Sequence, residues 1–199
     1  MTERFQKGVY GLDVQPAVRD YYDRWAKTYD AELTESGYAT PARCAAALRA
    51  AGVAQDAELL DMGCGTGLSG LAFAAEGFTN IDGCDLSSGM LAEARGRGLY
   101  RALHLAEEMP ETTYDAVAAV GVIGAGAGPP ELLDTCLSHL KSGGHFVFSF
   151  NDHALAVPEY PARLAHITAS GAARIVHRER GDHIPAMDIK SVVYTLEKA

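Results

Sequence analysis

The stretch Leu60-Asp61-Met62-Gly63-Cys64-Gly65-Thr66-Gly67 decides the fold of this 199-residue chain. It closes a short apolar run, residues 57–62, that is typical of a buried strand, and it leads into a helical pattern over residues 67–76. Glycines at alternate positions permit positive φ angles and leave the backbone open to a ligand. The first turn of the following helix presents free N–H groups at the same place. The stretch therefore predicts a ligand-binding turn between a first strand and its helix.

The alternation of strand and helix continues from this turn along the chain. Strand patterns cover residues 80–85, 99–106, 113–120 and 144–150, and helix patterns cover residues 88–96 and 129–140. Short connections between alternating strands and helices predict a parallel sheet with helices on both faces.

The C-terminal part departs from this rhythm. A helix pattern over residues 161–170 is followed by two strand patterns, residues 172–180 and 188–196. Residues 181–187 between them are too few for a helical crossover, so the two strands are expected to pair antiparallel. The sequence thus predicts an α/β fold whose seven-stranded sheet is mostly parallel and ends in an antiparallel C-terminal strand pair.

The N-terminal part is predicted to be a helical extension. A second helix pattern follows the first over residues 41–51. We expect one domain over residues 1–199, with the extension or lid in residues 1–52 and the core in residues 57–199. Five side chains recur at helical spacing within the first pattern, residues 15–31: Val18, Tyr21, Tyr22, Trp25 and Tyr29.

Charge and composition bound the class of partner. The chain has 26 acidic and 17 basic residues and a formal charge of −9, which disfavours binding to nucleic acid or to anionic lipid. It contains no apolar run near the roughly 20 residues of a membrane span, and residues 1–10 show no apolar signal core. A cytoplasmic protein with a small-molecule partner is expected, and the oligomeric state is not encoded in any pattern.

The four cysteines, Cys44, Cys64, Cys84 and Cys136, form no C-x-x-C pair. Neither a zinc site nor a disulfide framework is therefore expected, and no metal is predicted.

Asp85 gives the glycine turn an acidic partner. It ends the second strand pattern, where its carboxylate can accept hydrogen bonds from both hydroxyls of a ribose. The turn also contains the literal G-x-G-x-x-G pattern over residues 65–70, which leaves NAD open as the nucleoside. A Tyr-x-x-x-Lys pair, Tyr194 and Lys198, exists as well, but it falls in a strand pattern rather than on a helix.

The combination of motifs resembles the class I S-adenosylmethionine-dependent methyltransferases. Residues 60–67 resemble their motif I, and the likeness runs in order from about residue 15 to residue 150. The N-terminal Tyr22-Asp23-Arg24-Trp25-Ala26-Lys27-Thr28-Tyr29-Asp30 is similar to the opening of small-molecule members. Together with Gly98-Leu99-Tyr100 it resembles the Williams–Beuren critical-region methyltransferase-like group. The other matching stretches are Asp82-Gly83-Cys84-Asp85-Leu86-Ser87, Ser88-Gly89-Met90-Leu91-Ala92-Glu93-Ala94, Tyr114-Asp115-Ala116-Val117 and Lys141-Ser142-Gly143-Gly144.

The resemblance implies a Rossmann-like fold and the cofactor S-adenosyl-L-methionine, with S-adenosyl-L-homocysteine as product. The backbone of the turn and Asp61 would face the methionine part, Asp85 the ribose, and the residues after the second and third strands the adenine. Gly121 and Val122 would lie beside the sulfonium, and aromatic rings of the first helix would cover the site. The implied cofactor-binding residues are Tyr22, Trp25, Tyr29, Asp61, Gly63, Cys64, Gly65, Gly67, Asp85, Leu86, Ser87, Met90, Ala106, Glu107, Gly121 and Val122.

The expected reaction is methyl transfer to a small-molecule acceptor by in-line displacement. Such a reaction needs a general base only where the acceptor must lose a proton. His153, after the fifth strand pattern, is a weak candidate for a base, and His183 is expected to lie away from the site. The accepting atom is not encoded. Two alternatives remain open: an NAD-dependent oxidoreductase and a non-catalytic protein that binds S-adenosylmethionine.

Overall fold

The computed structural model describes residues 15–199, and for residues 15–18 it describes the backbone only. The expected lack of a signal segment over residues 1–10 and the side chain of Val18 thus lie outside the described residues. The helices are α1 (Gln15–Glu35), α2 (Thr40–Ala50), α3 (Leu68–Ala75), α4 (Ser88–Gly96), α5 (Leu132–Ser138), α6 (Asp152–Ala156) and α7 (Glu159–Ala169). The strands are β1 (Glu58–Met62), β2 (Asn80–Asp85), β3 (Ala102–Leu105), β4 (Tyr114–Ala119), β5 (Leu140–Asn151), β6 (Ala173–Ile184) and β7 (Ile189–Lys198).

All seven strands form one sheet in the order β3-β2-β1-β4-β5-β7-β6. The first five run parallel, and β7 pairs antiparallel with both β5 and β6. The predicted sheet, mostly parallel with an antiparallel C-terminal pair, is confirmed. The strand order reverses beside β1, because the chain fills one side with β2 and β3 and then returns to place β4 on the other. Ligands of open α/β sheets bind at such a reversal, outside the carboxyl ends of the strands.

Helices cover both faces of the sheet, and alternate side chains of β5 serve the two faces. Phe146, Phe148 and Phe150 belong to one apolar cluster together with α5 and α7. Val147 belongs to the other cluster, together with α2 and α3. All residues of the central strands β1 and β4 except Glu58 and Asp115 are buried, which is why their sequences are mostly apolar.

The boundaries of several elements differ from the sequence-based expectation. β5 begins at Leu140 rather than at residue 144, and α5 is correspondingly shorter at both ends. β6 continues to Ile184, through most of the stretch that was expected to be a turn, because a register shift between Asp182 and Ile184 lets pairing with β7 continue. The short helix α6 was not predicted; Asn151 caps it by accepting a hydrogen bond from the Ala154 amide at 2.9 Å.

The four cysteines are free and buried. Within the described part of the chain, no helix has both the length and the apolar character needed to cross a membrane.

Phe148 lies at the centre of the aromatic packing on β5. Its ring centroid is 4.9 Å from that of Phe146 and 5.2 Å from that of Tyr194. We expect Phe148→Ala to lower the free energy of unfolding by about 3–5 kcal/mol, because it leaves a cavity among fully buried rings. Urea unfolding followed by circular dichroism measures the loss. Leu71→Ala, at an exposed position, is the control. An equal loss in both variants would contradict the placement of Phe148 at the centre of the buried aromatic packing.

Candidate functional site

A cavity of about 460 Å³ opens at the carboxyl ends of β1, β2 and β4. Its walls come from the glycine turn after β1, the end of β2, the segment after β3, the loop after β4 and α5. Side chains of α1, including Tyr22 and Tyr29, also line it. The crevice therefore lies where the strand order reverses, as the topology requires.

The glycine turn brings bare backbone to the cavity. Gly63, Gly65 and Gly67 have φ angles of +70°, +54° and +94°, values that L side chains rarely adopt. The amides of Gly63 and Cys64 donate to the Cys84 carbonyl at 2.8 and 2.9 Å, which ties the turn to β2. A Cβ on Gly63 would lie 2.6 Å from the side chain of Val122. The turn thus tolerates no side chain where it faces the loop after β4.

Asp85 is held at the edge of the cavity by backbone amides. Its Oδ2 accepts from the Gly65 amide and its Oδ1 from the Ser87 amide, both at 2.9 Å. Burial raises the pKa of Asp85, and these two hydrogen bonds oppose that rise. Each carboxylate oxygen keeps lone pairs beyond these two bonds, so the group can also accept from the hydroxyls of a ribose.

Asp61, at the end of β1, is fully buried. Its Oδ2 accepts from the Ser69 hydroxyl at 2.6 Å and from the Tyr100 hydroxyl at 2.8 Å. Its Oδ1 has no hydrogen-bond partner among the described residues. Burial raises the pKa of this carboxyl to about 6. A buried carboxylate oxygen without a partner suits a ligand or water that donates hydrogen bonds.

Helix α1 is fastened to the elements that form the cavity. The Asp23 carboxylate accepts from the Ser87 hydroxyl at 2.5 Å and from the Gly89 amide at 2.9 Å, at the first turn of α4. Further along α1, Asp30 accepts from the Thr66 hydroxyl at 2.5 Å and forms an ion pair with Arg97. These contacts hold the aromatic face of α1 against the glycine turn.

A second cavity, of about 60 Å³, adjoins the first. The two share Tyr22, Tyr29, Gly121 and Ala127, so they meet where β4 ends. The second cavity is also lined by Trp25, Leu33, Tyr38, Ile123, Gly124, Ala125, Ser149, Asn151, His183 and Ile184. Its walls are therefore mostly aromatic and apolar, with a few polar groups from β5 and β6.

Most of the residues predicted to bind a cofactor lie together at the first cavity. Those that line it are Tyr22, Tyr29, Gly63, Gly65, Asp85, Leu86, Ser87, Met90, Ala106, Glu107, Gly121 and Val122. Trp25 lines the second cavity instead, and Asp61, Cys64 and Gly67 line neither. His153 is exposed on α6 and lines neither cavity.

Other lining residues were not expected from the sequence. Met62, Cys84, Met109, Leu132, Thr135 and His139 line the first cavity. Among the residues of the second, His183 was expected to lie elsewhere. Its position depends on β6 continuing beyond residue 180, which the local pattern did not indicate.

A family model described as a methyltransferase domain matches residues 36–199 of this chain. The chain belongs to the class I S-adenosylmethionine-dependent methyltransferases. Within the described residues, no group of three or more His, Cys, Asp and Glu side chains is arranged to hold a metal ion.

Named relatives agree with this placement. Human methyltransferase-like protein 27 is 39% identical over 124 residues, which cover 56% of this methyltransferase and 51% of the human protein. Ubiquinone biosynthesis O-methyltransferase of Aliivibrio fischeri strain MJ11 is 28% identical over 151 residues, or 69% of this chain and 64% of that enzyme. The chain thus spans between half and two thirds of the length of these two relatives.

A solved structure with the same fold matches most of this chain. Magnesium protoporphyrin IX methyltransferase of Synechocystis PCC 6803, with bound S-adenosylmethionine, matches with a TM-score of 0.69 at 20% identity. The match covers 94% of this chain and 98% of that structure.

The Tyr-x-x-x-Lys pair has structural contacts. Tyr194 stacks on Phe148 within the core, and Lys198 donates to the carbonyls of Leu137 and Leu140 at 2.8 and 2.6 Å. Together with the family match, these contacts favour methyl transfer over the nicotinamide alternative.

The raised pKa of Asp61 makes stability depend on pH. A carboxyl whose folded pKa, about 6, exceeds its unfolded value of about 3.9 contributes stability below pH ~4 and loses it as the pH rises through 6. Asp61→Asn cannot ionise. We therefore expect the difference in free energy of unfolding between Asp61→Asn and the native chain to grow by about 3 kcal/mol in favour of the variant as the pH is raised from 4 to 8. Urea unfolding at both pH values measures the gain. Asp56→Asn, at an exposed position, should show none, and a pH-independent difference for Asp61→Asn would contradict the burial argument.

The hydrogen bonds from Ser87 and Gly89 to Asp23 are expected to limit local unfolding of α1. We expect Asp23→Ala to cost about 1 kcal/mol, the usual value of a lost helix cap, and thus to speed hydrogen exchange of α1 amides about fivefold. Mass spectrometry of the exchanged peptides measures the rate. Asp20→Ala removes an exposed carboxylate from the same helix and should leave it unchanged. Equal exchange in the two variants would show that Asp23 does not hold the helix.

Proposed function

We propose that this methyltransferase binds S-adenosylmethionine in the first cavity and transfers its methyl group to a small molecule in the second. The observation that carries the proposal is the junction of the two cavities at Gly121, directly after β4. A cofactor in one cavity and an acceptor in the other would meet there. A protein that only bound the cofactor would have no need of the second cavity.

The residues of the first cavity suit the parts of the cofactor. Asp85 would accept from the ribose hydroxyls, and Leu86 and Met90 would flank the adenine. Ala106 and Glu107, after β3, would face the adenine edge. The bare backbone of the glycine turn would let the methionine part approach closely, since a side chain there meets Val122.

Asp61 would act from the end of β1. Its unpartnered Oδ1 suits the ammonium group of the methionine part, directly or through a water molecule. The carboxylate is ionised at neutral pH only at the cost of burial, and a cationic partner would offset that cost.

S-adenosylmethionine supplies a methyl group on a cationic sulfonium. The chain itself would align the acceptor with that methyl and exclude water, a contribution of up to roughly 7–11 kcal/mol to the barrier. Tyr22 and Tyr29 line both cavities, and their ring faces suit a cation at the junction. The displacement itself would need no protein carboxylate next to the methyl group that is transferred.

Three observations support a small-molecule acceptor. The second cavity has a volume of about 60 Å³ and is lined by Tyr22, Trp25 and Tyr29 of α1. The formal charge of −9 disfavours a nucleic-acid acceptor. Two similar proteins, a ubiquinone biosynthesis O-methyltransferase and a magnesium protoporphyrin IX methyltransferase, have names that indicate small-molecule acceptors.

Loss of the Asp85 carboxylate tests the placement of the cofactor. We expect Asp85→Ala to bind S-adenosylhomocysteine more weakly by about 1–3 kcal/mol, because two ribose hydroxyls lose their acceptor. Isothermal titration calorimetry measures the dissociation constant. Asp56→Ala, an exposed aspartate after α2, is the matched control. Unchanged affinity in Asp85→Ala would mean that the ribose lies elsewhere, and no binding by the native chain would overturn the proposed function.

A further inference from the structure

The polar side chains of the second cavity include Ser149, Asn151 and His183. Of the described residues that line it, none is an Asp, Glu, Lys or Arg. The hydrogen-bonding state of these three groups decides what an acceptor can present to them.

A chain of hydrogen bonds fixes the protons around His183. Arg43 Nη1 lies 2.9 Å from Ser191 Oγ, which is 3.2 Å from Thr40 Oγ1, which in turn is 2.8 Å from Nδ1 of His183. An arginine can only donate, so Ser191 accepts at one end. If Ser191 then donates to Thr40, and Thr40 to Nδ1, every hydroxyl proton in the chain has an acceptor.

The opposite direction leaves a proton without an acceptor. If Nδ1 donated to Thr40 and Thr40 to Ser191, the Ser191 hydroxyl would have no acceptor among the described residues. Thr40 and Ser191 are fully buried, so that loss would not be repaired by solvent. The chain therefore makes Nδ1 an acceptor, and a neutral imidazole of this tautomer carries its proton on Nε2.

Burial and the combined effect of neighbouring groups oppose the protonation of His183. Burial is the larger effect and Arg43 on α2 the next, and together they lower the pKa of His183 to about 4. On α6, Asp152 raises this pKa and His153 lowers it, both less strongly. The ring of Tyr38 packs edge-on against the imidazole at a centroid distance of 5.2 Å. The imidazole is thus neutral at pH 7 and is a poor base.

Nε2 of His183 is the free polar atom of that ring. It forms no hydrogen bond within the described part of the chain, although the residue is only 5% exposed and lines the cavity. Asn151 uses its Oδ1 to cap α6, which leaves its amide N–H groups as donors. The Ser149 oxygen accepts from the Gly121 amide at 3.2 Å and keeps its proton to donate. All three groups therefore offer donors to the cavity.

We propose that the second cavity holds its acceptor as an oxyanion, the ionised hydroxyl of a phenol or enol, with the Nε2–H of His183 and the amide of Asn151 donating to that oxygen. The inference rests on the proposed function, because it concerns the acceptor of the same site. Aromatic walls from Trp25 and Tyr38 suit the flat frame of such a compound. His183 would be a catalytic residue that orients and stabilises the oxygen rather than a base.

The proposed step balances without a protein base. The hydroxyl proton leaves to water as the acceptor ionises. A lone pair of the oxyanion forms the new C–O bond, the C–S bond breaks, and its electron pair stays on sulfur. The negative charge of the acceptor and the positive charge of the sulfonium disappear together, which leaves an ether and the neutral sulfur of S-adenosylhomocysteine.

Nitrogen NMR of the native protein tests the tautomer without any acceptor. With ¹⁵N-labelled histidine, we expect His183 to be neutral at pH 7 with its proton on Nε2, and the signal to be assigned by its loss in His183→Phe. Thr40→Val removes the hydrogen bond to Nδ1 at similar shape and should move the ¹⁵N resonance of Nδ1 toward that of an unbonded imidazole nitrogen, while the proton stays on Nε2; an unmoved resonance would contradict the hydrogen-bond chain. A proton on Nδ1 in the native protein would overturn the proposal.

The probe 4-nitrophenol tests the oxyanion directly, because its ionised and protonated forms absorb at different wavelengths. On protein saturated with S-adenosylhomocysteine, we expect the bound probe to ionise at a lower pH than the free probe, with about a tenfold preference for the anion. His183→Phe should lose this preference, and His153→Phe, an exposed position, should keep it.

The two proposals fail in different ways. If S-adenosylhomocysteine binds but 4-nitrophenol does not bind, or binds in its protonated form, the oxyanion proposal is overturned and the proposed function stands. If S-adenosylhomocysteine itself does not bind in the calorimeter, the proposed function is overturned.

Discussion

The buried carboxylate of Asp61 is the constraint on which the site depends. A charge taken out of water must be held by hydrogen bonds, and here two hydroxyls supply them. Ser69 comes from α3 and Tyr100 from the segment before β3. Meeting this one requirement therefore fixes the start of α3 and the approach to β3 relative to the end of β1. The glycine turn lies between these fixed points, and its geometry follows from them.

Helix α1 connects the two cavities physically. Its carboxylates cap α4 and hold the turn before α3, while its aromatic rings line both cavities. The same helix thus contacts the elements that surround a cofactor and the walls that surround an acceptor. A displacement of α1 would therefore change the walls of both cavities together.

Local patterns predicted the sheet, the glycine turn and Asp85, because strand ends and glycine turns are short-range features, whereas the other residues expected at the first cavity were implied by the family resemblance. Asn80–Asp85 and Ser88–Gly96 have the predicted bounds. The place of His183 in the second cavity was not predicted, since it depends on contacts distant in sequence. His183 lines this cavity because β6 extends beyond its predicted end by pairing with β7. The imidazole is oriented by a hydrogen bond to Thr40, which lies 143 positions away in the sequence. No periodicity within one segment encodes such a contact.

The burial of the cysteines has a practical consequence. A thiol reacts through its thiolate, and burial raises the pKa of Cys44 and Cys84 to about 12 and that of Cys64 and Cys136 well above the usual value. Burial and a raised pKa both disfavour reaction of the four native thiols with maleimides at neutral pH. A single cysteine introduced at the exposed position of Asp20 would then be the preferred site for a fluorophore, whose emission can follow the motion of α1 with every native cysteine left in place.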